Sequence, residues 1–398
     1  MRKFKKMITF TATLFVLAAC QKETQLTPGG TTAKTGGTTA KTGDVTGDIL
    51  GAKDVNEFGS GHKRVYTLNN QVSGNSVMEY ERASDGTLTF NASYPTGGTG
   101  TGGGLGNQGA LILGDDDQIL LAVNPGSNSI SSFKVTGNGL SLQSTVSSGG
   151  LRPVSITQSD DIVFVLNAGG SGNISGFKLD NDELTPIANS TRPLSSAAAG
   201  AAQISFVNEG KVVVVTEKAT NKIITYTVNE WGIPGMMHSI SSATPTPFGF
   251  DAGKNGNIFV SEAAGGAAGA SKLSSYQVNN NGSISLITGS VGASQSAACW
   301  VVITNNGKYA YTTNTASNNL SSFDVNKNTG NISVNTSIAA TTGAGPIDAA
   351  LSNNSKYLYV LNSGSHSLGV YAVAANGALS NVQTVTGVPA GATGLAAK

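Results

Sequence analysis

The sequence predicts an all-β protein built as a seven-bladed β-propeller. Three observations carry this: a motif recurring seven times at about 48 residues, alternating β-branched and polar residues between Asn/Gly turns, and no sustained helical periodicity. The motif is a strand carrying one aromatic: Tyr80, Phe133, Phe177, Tyr226, Tyr276, Phe323 and Tyr371, at steps of 53, 44, 49, 50, 47 and 48 residues. A unit that short cannot bury its apolar face alone, so the copies must stack against one another.

Each copy holds four strands, A innermost to D outermost. The B strands are the most apolar and stop at Asn69, Asn124, Asn167, Glu217, Glu262, Asn314 and Asn362. The aromatic C strand follows, then a Gly-containing hairpin such as Asn281-Gly282, then a weaker D strand. Four antiparallel strands repeated seven times describe propeller blades. The first unit begins with a B strand at Val65 and lacks its A strand, while Thr393-Gly394-Leu395-Ala396-Ala397 forms an A strand with no B to follow. Pairing this tail into the first unit closes the ring and removes two free edges. The propeller is expected over residues 62–398.

Ahead of it lie two further segments. Residues 1–6 hold four basic side chains, and residues 7–19 are apolar. Thirteen helical residues rise only about 20 Å, too little to cross a hydrocarbon core of roughly 30 Å. Residues 1–19 therefore read as a signal peptide. Its end, Leu17-Ala18-Ala19-Cys20, resembles the lipobox of bacterial lipoproteins, which implies that Cys20 is acylated and anchors the protein to a lipid bilayer. Residues 20–61 repeat the heptad GGTTAKT and hold few bulky apolar residues, so they form a flexible tether. The expected location is the bacterial cell envelope, outside the cytoplasm.

Composition narrows function. Only 12% of residues are charged and the formal charge is +1, falling to −3 beyond the basic leader. No electrostatic footprint for nucleic acid is present. Two cysteines cannot make a disulfide framework; Cys299, beside Trp300 on an A strand, reads as a small buried residue. The glycine-dense run 98–109 contains matches to G-x-G-x-x-G but leads into a strand, so it reads as chance and no cofactor is expected. Asp324-x-Asn326-x-Asn328 lacks the closing Glu of a calcium loop, and no metal site is assigned. A monomer is expected.

Strands reading Tyr309-Ala310-Tyr311-Thr312-Thr313-Asn314 and Tyr357-Leu358-Tyr359-Val360-Leu361-Asn362, each followed by a Ser/Asn/Gly turn and an apolar-Ser/Gly-x-Phe/Tyr strand, resemble the lactonase family of seven-bladed propellers. That family includes bacterial 6-phosphogluconolactonases and fungal carboxymuconate-lactonizing enzymes. The resemblance implies a propeller with a ligand site on its top face and, for active members, lactone hydrolysis. Family enzymes commonly carry histidines where an A strand enters that face; here those stretches begin Arg152-Pro153, Pro247-Phe248 and Pro346-Ile347, without histidine.

The D-to-A and B-to-C connections share the top face, so the residues ending the B strands are expected to ring it. Asn124, Asn167, Asn314 and Asn362 cap turns or contact a ligand; Glu217 and Glu262 cap turns or form an acidic patch whose members raise one another's pKa and supply a base. Arg152 and Arg192, near D-to-A connections, order loops or hold a substrate carboxylate. Trp300 packs between blades or stacks on a ligand. Two readings follow. The sequence favours an anchored, non-catalytic propeller that binds a small molecule, glycan or protein at its top face. The alternative is an extracytoplasmic lactone hydrolase with Glu217 or Glu262 as base and Arg152 as anchor.

Overall fold

The computed structural model describes residues 63–114 and 117–398. The leader, Cys20, the tether, His62 and Asp115-Asp116 lie outside the described residues. The described chain folds into seven antiparallel sheets whose strands pair in sequence order, except at the ring closure and at the end of the third blade.

Closure follows the expectation. The tail strand Thr393–Ala397 pairs with Arg64–Leu68, which continues into Ser76–Arg82 and Leu88–Pro95 as the first blade. Thr67 Oγ1 donates to the Gly394 carbonyl at 2.7 Å, and Arg82 donates to the Lys398 carbonyl at 3.0 Å. The innermost strands of blades 2 to 7 are Leu111–Leu113, Pro153–Ser159, Ala201–Val207, Pro247–Ala252, Ala298–Ile303 and Pro346–Leu351. Blade 3 alone breaks its outer strand in two, Glu183–Pro186 and Arg192–Pro193, both paired with Asn173–Asp180.

The core lies between blades. B strands such as Ile162–Asn167 and Val212–Glu217 are buried along their whole length because both of their faces meet a neighbouring sheet, whereas D strands such as Leu379–Thr386 have no buried residue. The seven repeating aromatics are all at most 2% exposed. Apolar layers fill the spaces between neighbouring sheets; between blades 3 and 4, for example, the Phe164 and Phe206 rings meet edge-on at 5.7 Å.

Around the central channel the A strands are stitched by side chains. Ser155 Oγ accepts from the Ile204 amide at 3.1 Å, Gln203 Oε1 from Phe250 at 2.7 Å, and Asp251 Oδ2 from Ile303 at 2.8 Å. Neighbouring A strands diverge too far to share a ladder, so polar side chains satisfy the inward-facing amides that would otherwise be orphaned.

Candidate functional site

The B-strand ends are not an open ring. Asn124, Asn167, Glu217, Glu262, Asn314 and Asn362 are at most 1% exposed. Asn124 accepts from Asn75 and donates to Ser131 Oγ; Asn314 donates to Asn319 and Ser321; Asn362 donates to Ser367. Asn167 donates to the Ser148 carbonyl and to Asn173. The D-to-A connection of the preceding blade folds over these amides, and glycine permits the approach: a Cβ on Gly150 would lie 2.6 Å from the Asn167 amide carbon.

Glu217 and Glu262 take the same structural place. Glu217 accepts from the Ser195 amide at 2.9 Å and from the Ser195 and Thr220 hydroxyls. Glu262 accepts from Ser274 Oγ at 2.7 Å and Tyr276 OH at 2.8 Å. Burial pushes the Glu262 carboxyl upward, and these hydrogen bonds pull it partly back. Neither carboxylate is open to a ligand, so the acidic patch expected at the mouth is not formed. Arg192 orders connections and holds no ligand: it sits in the broken outer strand of blade 3, where its guanidinium donates to the carbonyls of Asn189, Thr191 and Pro234.

Three other groups do converge on the mouth of the channel. Trp300 is 1% exposed and packs against Phe248 with ring centroids 5.1 Å apart. Lys218, the residue after Glu217, extends over the Phe248 ring, its Nζ 4.6 Å from the centroid. Desolvation, with a smaller contribution from the Arg152 charge, lowers the Lys218 ammonium to about 8. Arg152 itself is exposed on a left-handed backbone (φ 53°) fixed by its amide's bond to Asn128 Oδ1. No hydrogen bond or ion pair holds its guanidinium among the described residues.

The mouth is filled by the connection between blades 1 and 2. Lys218 Nζ donates to the Gly106 carbonyl at 2.8 Å, and Trp300 Nε1 to the Asn107 carbonyl at 3.4 Å. Asn107 Nδ2 donates to the carbonyls of Ala201 and Ala202 in blade 4. Gln108 pairs with one residue of blade 6, donating to the Val301 carbonyl at 2.8 Å and accepting from its amide at 3.2 Å. A Cβ on Gly249 would overlap Gln108 Oε1, so this side chain occupies the niche that glycine leaves in the stitched ring.

Sequence reasoning missed Lys218 and this connection. The available signal was the first aromatic step, whose 53 residues exceed every other. Chemically, the mouth offers a desolvated ammonium already aimed at a carbonyl oxygen, an indole donor and a nearby second cation. Among the described residues, no three His, Cys, Asp or Glu side chains group closely enough to hold a metal. His238 lies on an outer strand and His366 in an exposed turn.

The family model "Lactonase, 7-bladed beta-propeller" matches residues 56–193 and 272–393. A Pseudomonas aeruginosa periplasmic gluconolactonase shares 15% identity at a TM-score of 0.62, covering 84% of this chain and 98% of its own. A Bacteroides uniformis protein provisionally described as a 6-phosphogluconolactonase shares 18% at 0.65, covering 83% and 99%. A Lactobacillus plantarum protein shares 16% at 0.67, covering 85% and 99%. At these identities the likeness establishes the fold. No curated protein sequence matches the chain.

Proposed function

This chain belongs to the seven-bladed β-propeller lactonase family, and from that premise we propose that it is an extracytoplasmic lactone hydrolase acting at the mouth of its central channel. The observation that carries the reading is Lys218, a desolvated ammonium that donates to a carbonyl oxygen there. With substrate in place, the same ammonium polarises the lactone carbonyl and stabilises the oxyanion formed when hydroxide adds. The ring C–O bond then breaks, and the alkoxide takes the proton of the new carboxylic acid, giving the open-chain hydroxy carboxylate. Arg152, exposed nearby, holds the carboxylate as it forms. The general-base role considered for Glu217 and Glu262 is not needed when hydroxide is the nucleophile, and both carboxylates are spent within their blades.

The test is pH-stat hydrolysis of a panel of unphosphorylated sugar and carboxylic-acid lactones. Lys218→Met is expected to lose at least about 100-fold in kcat/KM, the scale of removing one oxyanion donor, while Glu217→Gln and Glu262→Gln retain turnover in proportion to folded protein. The wild-type rate should climb with hydroxide below pH ~8 and level off above it, because Lys218 is cationic below its pKa and neutral above. Full turnover in Lys218→Met refutes the assigned mechanism. No turnover across the panel favours the second reading, a non-catalytic binding propeller. The specific support for that reading is the mouth itself, occupied by Asn107 and Gln108. In either case we place the propeller at a membrane, held by acylated Cys20 through the tether, on the strength of the leader and its Leu17-Ala18-Ala19-Cys20 end.

A further inference from the structure

The connection that fills the mouth has two unlike parts. Residues 97–109 contain eight glycines. Thr101, Gly102, Gly103 and Gly104 are exposed, and a Cβ on Gly103 or Gly104 would meet nothing within 4 Å. No packing therefore requires glycine at those two positions. The tip, by contrast, is buried: Leu105 is 2% and Asn107 3% exposed. It reaches blade 4 through the Ala201 and Ala202 carbonyls and Lys218, and blade 6 through Trp300 and Val301.

We propose that residues 104–108 are a displaceable plug whose tip occupies in cis the site that a ligand takes; the buried Asn70 clamps the chain before it by bonds to Thr101, Gly102 and Gly103, and the Ile156 amide holds the Gly109 carbonyl after it. The physical case rests on what the contacts are. The tip holds its place almost entirely through hydrogen bonds, each of small net worth because water can replace it. Gly104 and Gly106 cost more backbone entropy to order than other residues would, and that entropy returns when the plug leaves. Only Leu105 supplies substantial apolar burial at the tip. Leu105 packs into the apolar layer of blades 1 to 3, and the other blades are joined by apolar layers that do not include the tip.

The contacts also define the ligand chemistry. Departure of the tip exposes the Lys218 ammonium and the Trp300 N–H as donors, the Ala201 and Ala202 carbonyls as acceptors, and a Val301 amide–carbonyl pair that Gln108 now satisfies. A matching ligand is a small polar molecule with a carbonyl acceptor flanked by groups that both donate and accept, as hydroxyls do. The proposal shares with the hydrolase reading only the location of the site and does not require catalysis.

Hydrogen exchange of the full-length protein, followed by mass spectrometry without ligand, tests it independently of activity. Peptides isolating residues 105–110 are expected to show protection factors at least about 10-fold below those of Val212–Glu217, a wholly buried strand of blade 4. Gln108→Ala should lower tip protection by a further factor of about 5 or more and leave Val212–Glu217 unchanged. In a Trp231→Phe background the buried Trp300 should become more accessible to acrylamide in the same variant. Equal protection of tip and strand, or a Gln108→Ala effect spread over all blades, would overturn the proposal and make the segment a fixed part of the ring.

Discussion

Ring closure gives the most direct quantitative test. Deleting residues 393–398 removes the innermost strand of blade 1 and leaves Arg64–Leu68 as an open edge. Four paired positions carry ladder hydrogen bonds worth about 1 kcal/mol each. Leu395, 7% exposed within the layer that also holds Trp300 and Tyr359, contributes about 2 kcal/mol of burial. The bonds from Thr67 to Gly394 and from Arg82 to Lys398 add about 1 kcal/mol each. The total, about 8 kcal/mol, is comparable to the whole stability of an ordinary domain. The truncated protein should lose its cooperative thermal transition by circular dichroism and elute as aggregate in size exclusion, since the freed edge is a template for pairing. Leu395→Ala supplies the graded version, a loss of about 2–3 kcal/mol read by urea unfolding. A monomeric truncated protein melting within a few degrees of wild type would refute the closure argument.

Two further tests address electrostatics and anchoring. Burial raises the Asp251 carboxyl from 3.8 to about 6, against the pull of its bonds from the Ile303 and Ala252 amides, so the fold holds its proton after the unfolded chain has released it. Stability contributed by that proton is present below pH 4 and lost as pH rises through about 6. Asp251→Asn should therefore gain about 2 to 3 kcal/mol relative to wild type between pH 4 and 7 in urea titrations, and a pH-independent difference would contradict the assignment. Cys20→Ser should move the protein from the membrane fraction to the soluble envelope fraction, and unchanged membrane retention would contradict lipid anchoring.

The blades were legible in the sequence because their signals are local. A strand's alternation, its turn residues and one aromatic per copy lie within about ten residues of one another, and seven copies made the period unmistakable. The missing first A strand and the surplus last one gave the closure by counting. The site was less legible. Asn and Glu at the B-strand ends read equally as turn caps or ligand contacts, and the structure uses them within the blades. What decides between the two is the path of a connection from the previous blade, with Gly150 over Asn167 and Ser195 against Glu217.

The sequence by itself determined the number of blades, their strand order, the closing tail and the family, since each depends on repetition along the chain. Only the tertiary structure decided what occupies the channel mouth. Gln108 meets Val301 across 193 residues and Asn107 meets Ala201 across 94. No periodicity encodes such a contact, because it depends on where seven blades bring their inner edges. The same geometry gives Lys218 its desolvated setting, and so places a residue with no motif around it over the Phe248 ring at the channel mouth.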